Sequence, residues 1–309
     1  MKRILTLTIN PAIDASCAVE TVFPDHKLRC GPVLHEAGGG GVNVSRAIQN
    51  LGGQSTVFYL AGGPSGQMLG LLLDREGLRH VALPIADWTR EDFMVTETKS
   101  AQQYRFITPG PEVRAEEWKT CLERIGGIEP MSEFVVASGS LPPDVPADFY
   151  AQLAKRVYAK GSRFILDTSG PALSEALRGH VYLVKPSMRE LRGFVDHELS
   201  SEREQDEAAM HIVKSGQAEI VVVSIGAAGV LLATAERCER IPSPSVPVKS
   251  KVGAGDSMVA GIALSLARDM SIREAVRFGI ACGAAAVMMP GTQLCRREDA
   301  ERLFATIGA

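Results

Sequence analysis

Four short apolar runs constrain the fold more than any other feature of this sequence: FVVAS (134–138), RFILD (163–167), VYLV (181–184) and IVVVS (220–224). Each passes into a loop of small or polar residues, GSLPP, TSG, KPS and IGAAG in turn, before helix-compatible sequence resumes. Runs without polar alternation are the mark of strands covered on both faces, the situation in a parallel sheet whose crossover helices lie above and below it. The first part of the chain shows the same alternation, with a short buried strand at 4–9, another at 55–61 and helix-like stretches between and after them, the later one opening at 68–73 beyond the GGPSG turn. The expectation is an α/β fold with a doubly wound, mostly parallel sheet flanked by helices. In such a sheet the strand-end loops gather at the carboxyl edge, where ligands bind, so Ser140, Asp167, Lys185, Glu190 and Ser224 should lie close together.

The pattern breaks twice. From Asp87 the segments FMVTET and QQYRFI read as a hairpin with no helix nearby, and residues between Asp14 and Cys30 are irregular. The reading therefore divides the chain into an α/β core (1–11, 34–86 and 109–309) and a small β-sheet lid (12–33 and 87–108). A sheet of few strands leaves open edges, which pairing with a second copy would cover.

Composition narrows the function. A net charge of −3 and a 22% charged fraction give no basic surface of the kind nucleic acid requires. A mildly acidic protein that handles an anionic ligand must concentrate its Lys and Arg residues locally; His26, Lys27, Leu28 and Arg29 form a basic cluster that reads either as such a group or, taken alone, as a solvated charge run. The six cysteines show no CxxC pair, and the six histidines show no metal-ligand spacing. The apolar run after Lys2 and Arg3 is too short for a signal peptide, and the longest low-polarity stretch, 278–289, is short of a membrane span. A cytoplasmic location with reduced thiols is expected.

Three loops carry candidate chemistry. In VGAGDSMVAGI (252–262) two glycines precede a carboxylate at the start of an apolar helix. Unpaired N–H groups there, at the positive end of the helix dipole, suit a phosphate, and Asp256 beside them could take a hydroxyl proton; capping of the helix by Asp256 is the competing account. Four consecutive glycines, Gly38, Gly39, Gly40 and Gly41, precede another helix, and such a run points to close approach of backbone to a polar ligand. Neither the P-loop pattern nor GxGxxG is satisfied, since Val44 stands where the third glycine belongs. Ser187 with Glu190 has the spacing of a capping box, as have Ser201 with Glu204 and Ser271 with Glu274; the alternative pairs Glu190 with Asp167 around Mg²⁺. Gly279, Ala281, Gly283 and Ala285 make a thin-walled helix suited either to close packing or to an adenine ring.

Taken in order, these motifs resemble those of the ribokinase-like (PfkB) sugar kinase family over nearly the whole chain. TLTINPAID (6–14) resembles the TxNPxxD opening of its sugar-phosphate branch, GGGGVNVSRA (38–47) its sugar loop, VGAGDS (252–257) its anion hole and base; DWTR (87–90) and SGSLPP (138–143) fit too. KLRC (27–30) and GGGG stand where fructose-1-phosphate and tagatose-6-phosphate kinases carry GGKG, which brings the chain nearest the minor bacterial 6-phosphofructokinase branch. The resemblance implies an ATP-dependent phosphotransferase with an alcohol acceptor, converting fructose 6-phosphate to fructose 1,6-bisphosphate. Tagatose-6-phosphate or fructose-1-phosphate kinase activity is the near alternative, and a non-catalytic sugar-phosphate sensor or a dinucleotide-dependent dehydrogenase the distant ones.

It further implies Asp256 as base with Gly253, Ala254 and Gly255 as the anion hole. Asp14, Gly38 to Gly41, Asn43, Arg90 and Ser140 would hold the sugar, with Lys27 and Arg29 on its phosphate. Lys185, Ser187, Ser224, Gly226, Gly229 and Gly283 would line ATP, Glu190 and Asp167 would act on Mg²⁺, and the lid would join two protomers. Ser187 replaces the family's Asn of NxxE, and Ser250 and Lys251 replace its Asp-Thr pair, which argues against a potassium site unless backbone carbonyls suffice.

Overall fold

All four apolar runs become neighbouring strands of one sheet. The computed structural model describes residues 1–195 and 198–308, so His197 lies outside the described residues. The chain opens with β1 (Ile4–Thr8), β2 (Ala12–Val19) and β3 (Leu34–Gly38), then α1 (Gly40–Asn50), β4 (Thr56–Ala61), α2 (Gly63–Arg75) and β5 (Arg79–Pro84). A hairpin of β6 (Arg90–Glu97) and β7 (Gln103–Phe106) follows. The alternation resumes with α3 (Ala115–Gly126), β8 (Phe134–Ser138), α4 (Phe149–Ala159), β9 (Arg163–Asp167), α5 (Gly170–Leu177) and β10 (Val181–Val184). After α6 (Met188–Arg192), α7 (Glu202–Lys214) and β11 (Ala218–Ser224) come β12 (Val230–Ala233), β13 (Cys238–Ile241), α8 (Ala254–Ala267), α9 (Ile272–Val287) and α10 (Arg297–Phe304).

Among the described residues nine strands form the main sheet, in the order β13-β12-β11-β10-β9-β8-β1-β4-β5. All its pairings are parallel except β11 with β12 and β12 with β13. From β1 the chain proceeds outward through β4 and β5, then returns to the other side of β1 and proceeds through β8, β9 and β10. The order therefore reverses between β1 and β8, and the crevice beyond their carboxyl ends is where such a sheet binds its ligands. One face of the sheet is covered by α3, α4, α5 and α7, the other by α1, α8, α9 and α10. A second sheet, β3-β2-β6-β7, stands apart from the first.

Helix α8 is apolar all round, and the helix interior must then be buried on every side. It lies between α1 and α9, with Val259, Ile262 and Leu264 fully buried, each contributing roughly 1.5–3 kcal/mol of transfer free energy. Small residues permit this packing: a Cβ on Gly279 would lie 2.9 Å from the Met258 carbonyl oxygen, and one on Gly261 2.7 Å from Cys282 Sγ. The thin wall of α9 is therefore filled by α8 and offers no adenine platform at these positions.

Several local expectations shift. α2 begins at Gly63, with GGPSG continuing into its first turn, because Pro64 is preorganised for a helix start. β5 and the β12–β13 hairpin are strands that patterning did not single out. β5 is largely exposed at a sheet edge, and β13 carries Glu239 and Arg240, so neither shows an apolar run. β3 pairs with β2 in the small sheet.

Candidate active site

The start of α8 meets the crevice between β1 and β8. Gly253 is the N-cap, left-handed at φ 72°, and Asp256 lies in the first helical turn, so the capping account of Asp256 does not hold. Ser257 N–H is the first to find a helical partner, the Gly253 carbonyl at 2.8 Å, which leaves the amides of Ala254, Gly255 and Asp256 pointing out of the helix end. The Asp256 carboxylate accepts from Asn43 Nδ2 at 3.0 Å and from Ser138 Oγ at 3.2 Å. Asn43 thereby ties the first turn of α1 to the carboxylate.

Burial pushes the Asp256 carboxyl up from 3.8 to about 6, with the Asp167 carboxylate adding to the rise and Asn43, Lys185 and Ser138 opposing it. Two helix N-termini converge here, and dipoles alone would hold the group fully ionised; desolvation outweighs them. A carboxylate poised near neutrality beside free amide donors can accept a proton and stabilise a phosphoryl group at one place.

The four glycines do approach something closely, but it is the protein's own chain. A Cβ would lie 2.5 Å from the Asp14 carboxylate on Gly38, 2.3 Å from Ser138 Oγ on Gly40 and 2.2 Å from the Leu7 carbonyl oxygen on Gly41. Gly39 has φ 103°. The run lets the start of α1 dock into the crevice between β1 and β8, and this carries Asn43 to Asp256.

On the small sheet Asp14 sits between two acids, Glu36 across the β2–β3 pair and Asp92 across the β2–β6 pair. Each flanking acid has its own arginine: Arg46 lies 3.2 Å from Glu36, and Arg90 lies 3.0 Å from Asp92. The Asp14 carboxylate has no hydrogen-bond partner among the described residues. Its carboxyl is pushed up to about 6, first by burial and then by Asp92. Arg90 also donates to the carbonyls of Thr108 and Asn10, both at 3.3 Å, which ties the lid strand to the loop after β1. Ser140 is exposed at the same edge and accepts from Asn10 Nδ2 at 3.3 Å. Lys27 and Arg29 are exposed and make no ion pair among the described residues.

The ends of β9, β10 and β11 supply the third group. Lys185 and Asp167 form a buried ion pair of 3.0 Å. Both lie beside the glycine loop, 3.6 and 3.8 Å from where a Cβ on Gly255 would stand. Burial lowers and Asp167 raises the Lys185 ammonium, the net direction being up, while burial pushes the Asp167 carboxyl up against the pull of Lys185. Lys185 engages one oxygen of Asp167, which leaves the second for a metal-bound water, the role expected of it, and Lys185 faces the loop with its charge already matched. Ser187 and Glu190 form the capping box: Ser187 N–H donates to Glu190 Oε2 at 2.7 Å, and Glu190 N–H to Ser187 Oγ at 3.2 Å. Among the described residues no three His, Cys, Asp or Glu groups are placed to hold a metal.

Ser224 is held next to Ser187 by a hydrogen bond from its N–H to the Pro186 carbonyl at 2.9 Å. Gly226, at φ 61°, faces open space, as a nucleotide-facing turn requires. Gly229 is accounted for by packing, since a Cβ there would lie 2.1 Å from the Ile241 carbonyl oxygen; on Gly283 it would lie 3.2 Å from that of Ala254. The expected neighbours at the sheet edge are thus brought together, while Lys27 and Arg29 stand apart on the lid. Sequence reasoning passed over Ser138, Asp92 and Glu36. The SGS at the end of β8 offered a signal for Ser138, but the two acids gain meaning only from strand register.

Comparison with known proteins agrees with this geometry. A family model described as pfkB family carbohydrate kinase matches residues 5–299. The chain is 46% identical over 302 residues to the ATP-dependent 6-phosphofructokinase isozyme 2 of Mycobacterium tuberculosis, covering 98% of this chain and 89% of that protein. It is 42% identical over 306 residues to the Escherichia coli isozyme 2, covering 99% of each. The structure of Escherichia coli phosphofructokinase-2 in complex with fructose-6-phosphate superposes with a TM-score of 0.93 at 40% identity, over 99% of both chains. That protein has also been solved with potassium and in a tetrameric inhibited form. With a strand-order reversal, a glycine-led helix start and an unsaturated carboxylate all at one sheet edge, and with these matches across almost its full length, the chain belongs to the pfkB family of carbohydrate kinases.

Proposed function

We propose that this protein transfers the γ-phosphoryl group of ATP to the free primary hydroxyl of fructose 6-phosphate, giving fructose 1,6-bisphosphate. The observation that carries the reading is the Asp256 carboxylate, half-buried at the crevice and raised to about 6, held by Asn43 and Ser138 beside the open amides of Ala254 and Gly255. Asp14 accepts hydroxyl groups of the sugar, with Gly39, Asn43, Arg90 and Ser140 around it, and Lys27 and Arg29 meet its phosphate. As the hydroxyl oxygen attacks phosphorus in line, its proton passes to Asp256, and the loop amides take up charge on the transferred group. Ser187, Ser224 and Gly226 border the nucleotide, and Lys185 stiffens the floor of the site through Asp167.

Mg²⁺ would enter with the nucleotide, screening the phosphates, and the donor set fits an ion held mainly by phosphates and water: Glu190 keeps one carboxylate oxygen free of the cap. No side-chain carboxylate stands where Ser250 and Lys251 replace the family's Asp-Thr pair, so a monovalent ion there would depend mainly on backbone oxygens.

The small sheet acts as a lid over the acceptor and as a contact between two protomers. Supporting this, Phe23, Val33, Leu34, Phe93, Phe106 and Ile107, on or beside that sheet, are each between 47% and 58% exposed. A dimer through the lid is the expected unit, and larger assemblies build on it. No helix among the described residues is long and apolar enough to cross a membrane, and the free cysteines suit the cytoplasm. The test is a panel of ketohexose phosphates assayed with MgATP: fructose 6-phosphate should give the highest kcat/KM. Preference for tagatose 6-phosphate or fructose 1-phosphate would overturn the acceptor assignment, and absence of turnover with every member the kinase reading itself.

A further inference from the structure

Cys17 lies half-buried on β2, and Cys30 is exposed in the segment that leads back to β3. β3 covers β2 from Ala12 to Ser16, and the chain ahead of β3 continues along the same side of β2, where Gly31 N–H donates to the Ala18 carbonyl at 2.9 Å. That hydrogen bond sets Gly31 opposite Ala18 and so Cys30 opposite Val19, one diagonal step from Cys17 on the same face of the ribbon, and burial together with the neighbouring Cys30 thiol pushes the Cys17 thiol up. The other adjacent pair, Cys282 with Cys295, has no exposed surface at all and lies under α8. Among the described residues only the lid pair of neighbouring thiols has a member exposed on the single chain. Its position matters because Arg29 precedes Cys30 directly and Lys27 lies just before it.

We propose that Cys17 and Cys30 are a thiol–disulfide modification site for small disulfides of the glutathione class, closing to an intramolecular bridge that fastens the Lys27–Arg29 segment to β2. Cys30, the exposed member, loses its proton to solvent and attacks one sulfur of the small disulfide; that S–S bond breaks, and the departing thiolate takes up a proton. Cys17 then loses its proton and attacks the Cys30 sulfur, breaking the mixed disulfide and releasing the second small thiol. Two protein thiols are oxidised and one small disulfide is reduced to two thiols, so atoms and electrons balance. The bridge holds Arg29 to a single strand-bound position and restricts its travel to a bound phosphate. This last consequence rests on the proposed role of Lys27 and Arg29.

The experiment treats the folded full-length enzyme with oxidised glutathione and maps its thiols by mass spectrometry. The expected product lacks two hydrogen atoms, contains linked Cys17 and Cys30 peptides, leaves Cys282 and Cys295 as thiols, and reverts with dithiothreitol. In the Cys17→Ser variant the reaction should stop at a glutathione adduct on Cys30. A stable adduct on Cys30 in the unsubstituted enzyme, a bridge elsewhere, or no reaction would overturn the site. The bridged enzyme should show a several-fold higher KM for fructose 6-phosphate and an unchanged KM for ATP, an effect absent from Cys17→Ser. Unchanged KM values in a mapped, bridged enzyme would overturn the coupling to the acceptor, whereas the role of Arg29 itself is tested separately by its substitution.

Discussion

Replacing Asp256 by Asn should make the protein more stable and far less active. The carboxyl rises from 3.8 to about 6 on folding, about two units, and each unit corresponds to about 1.4 kcal/mol. The sign follows from linkage. Between those two values the folded state holds a proton that the unfolded chain has released, so stability falls as pH rises through this window, and the full penalty of up to about 3 kcal/mol is present above it. Asparagine has the same shape and no charge. Its Oδ1 can accept from Asn43 Nδ2, and its Nδ2 can donate to Ser138 Oγ, so both contacts persist. At about pH 8 the variant should gain up to about 3 kcal/mol, a rise in Tm on the order of 5 °C, and the gain should shrink toward zero as pH falls below about 4. Meanwhile kcat should fall by roughly 10²–10⁴ with KM values little changed, because a general base acts in the transition state. Thermal unfolding across pH and steady-state kinetics on the same preparations give both readings. A variant that loses stability at alkaline pH would refute the argument from burial, and one that retains kcat would remove Asp256 from proton transfer.

Further expectations concern the acceptor half and its packing. Asp14 and Asp256 are both raised to about 6, so kcat/KM should fall below that value with two powers of ten per pH unit as both bases take up protons, and Asp14→Asn should reduce the steepness to one. A single-proton limb in the unsubstituted enzyme would show that one of the two is not needed ionised. Arg29→Ala or Lys27→Ala should raise KM for the sugar phosphate much more than KM for ATP; equal changes would detach these side chains from the acceptor. Gly40→Ala would set a Cβ 2.3 Å from Ser138 Oγ and 2.6 Å from the Ser138 carbonyl carbon, where backbone cannot yield. Overpacking of this kind costs about 1–3 kcal/mol, and a Tm unchanged from that of the parent would contradict it.

What could be read without coordinates follows a physical division. The central strands are legible because burial on both faces leaves a continuous apolar run, as in IVVVS. β5 and the β12–β13 hairpin are not, since edge strands carry exposed and charged residues and no periodicity marks them. Local hydrogen bonding is also legible, and Ser187 with Glu190 forms the cap that its spacing announces. Asp256 could be singled out from its glycines, but its proton affinity could not: desolvation and Asp167 act through distant parts of the chain. The same holds for the glycine run, whose close neighbours, Ser138 and Leu7, lie far from it in sequence. Asp14 could be named by resemblance, while its position between Glu36 and Asp92 required the register of the small sheet.

The separation of Asp14 from Asp256 has a consequence for how such a molecule can diverge. The residue proposed to take the proton belongs to a helix enclosed in the interior, where most replacements disturb buried neighbours. The residues around Asp14 lie on a four-stranded ribbon with solvent against much of its surface. On the proposed roles, substitutions that alter sugar preference can be made on the ribbon without repacking the helix that carries Asp256.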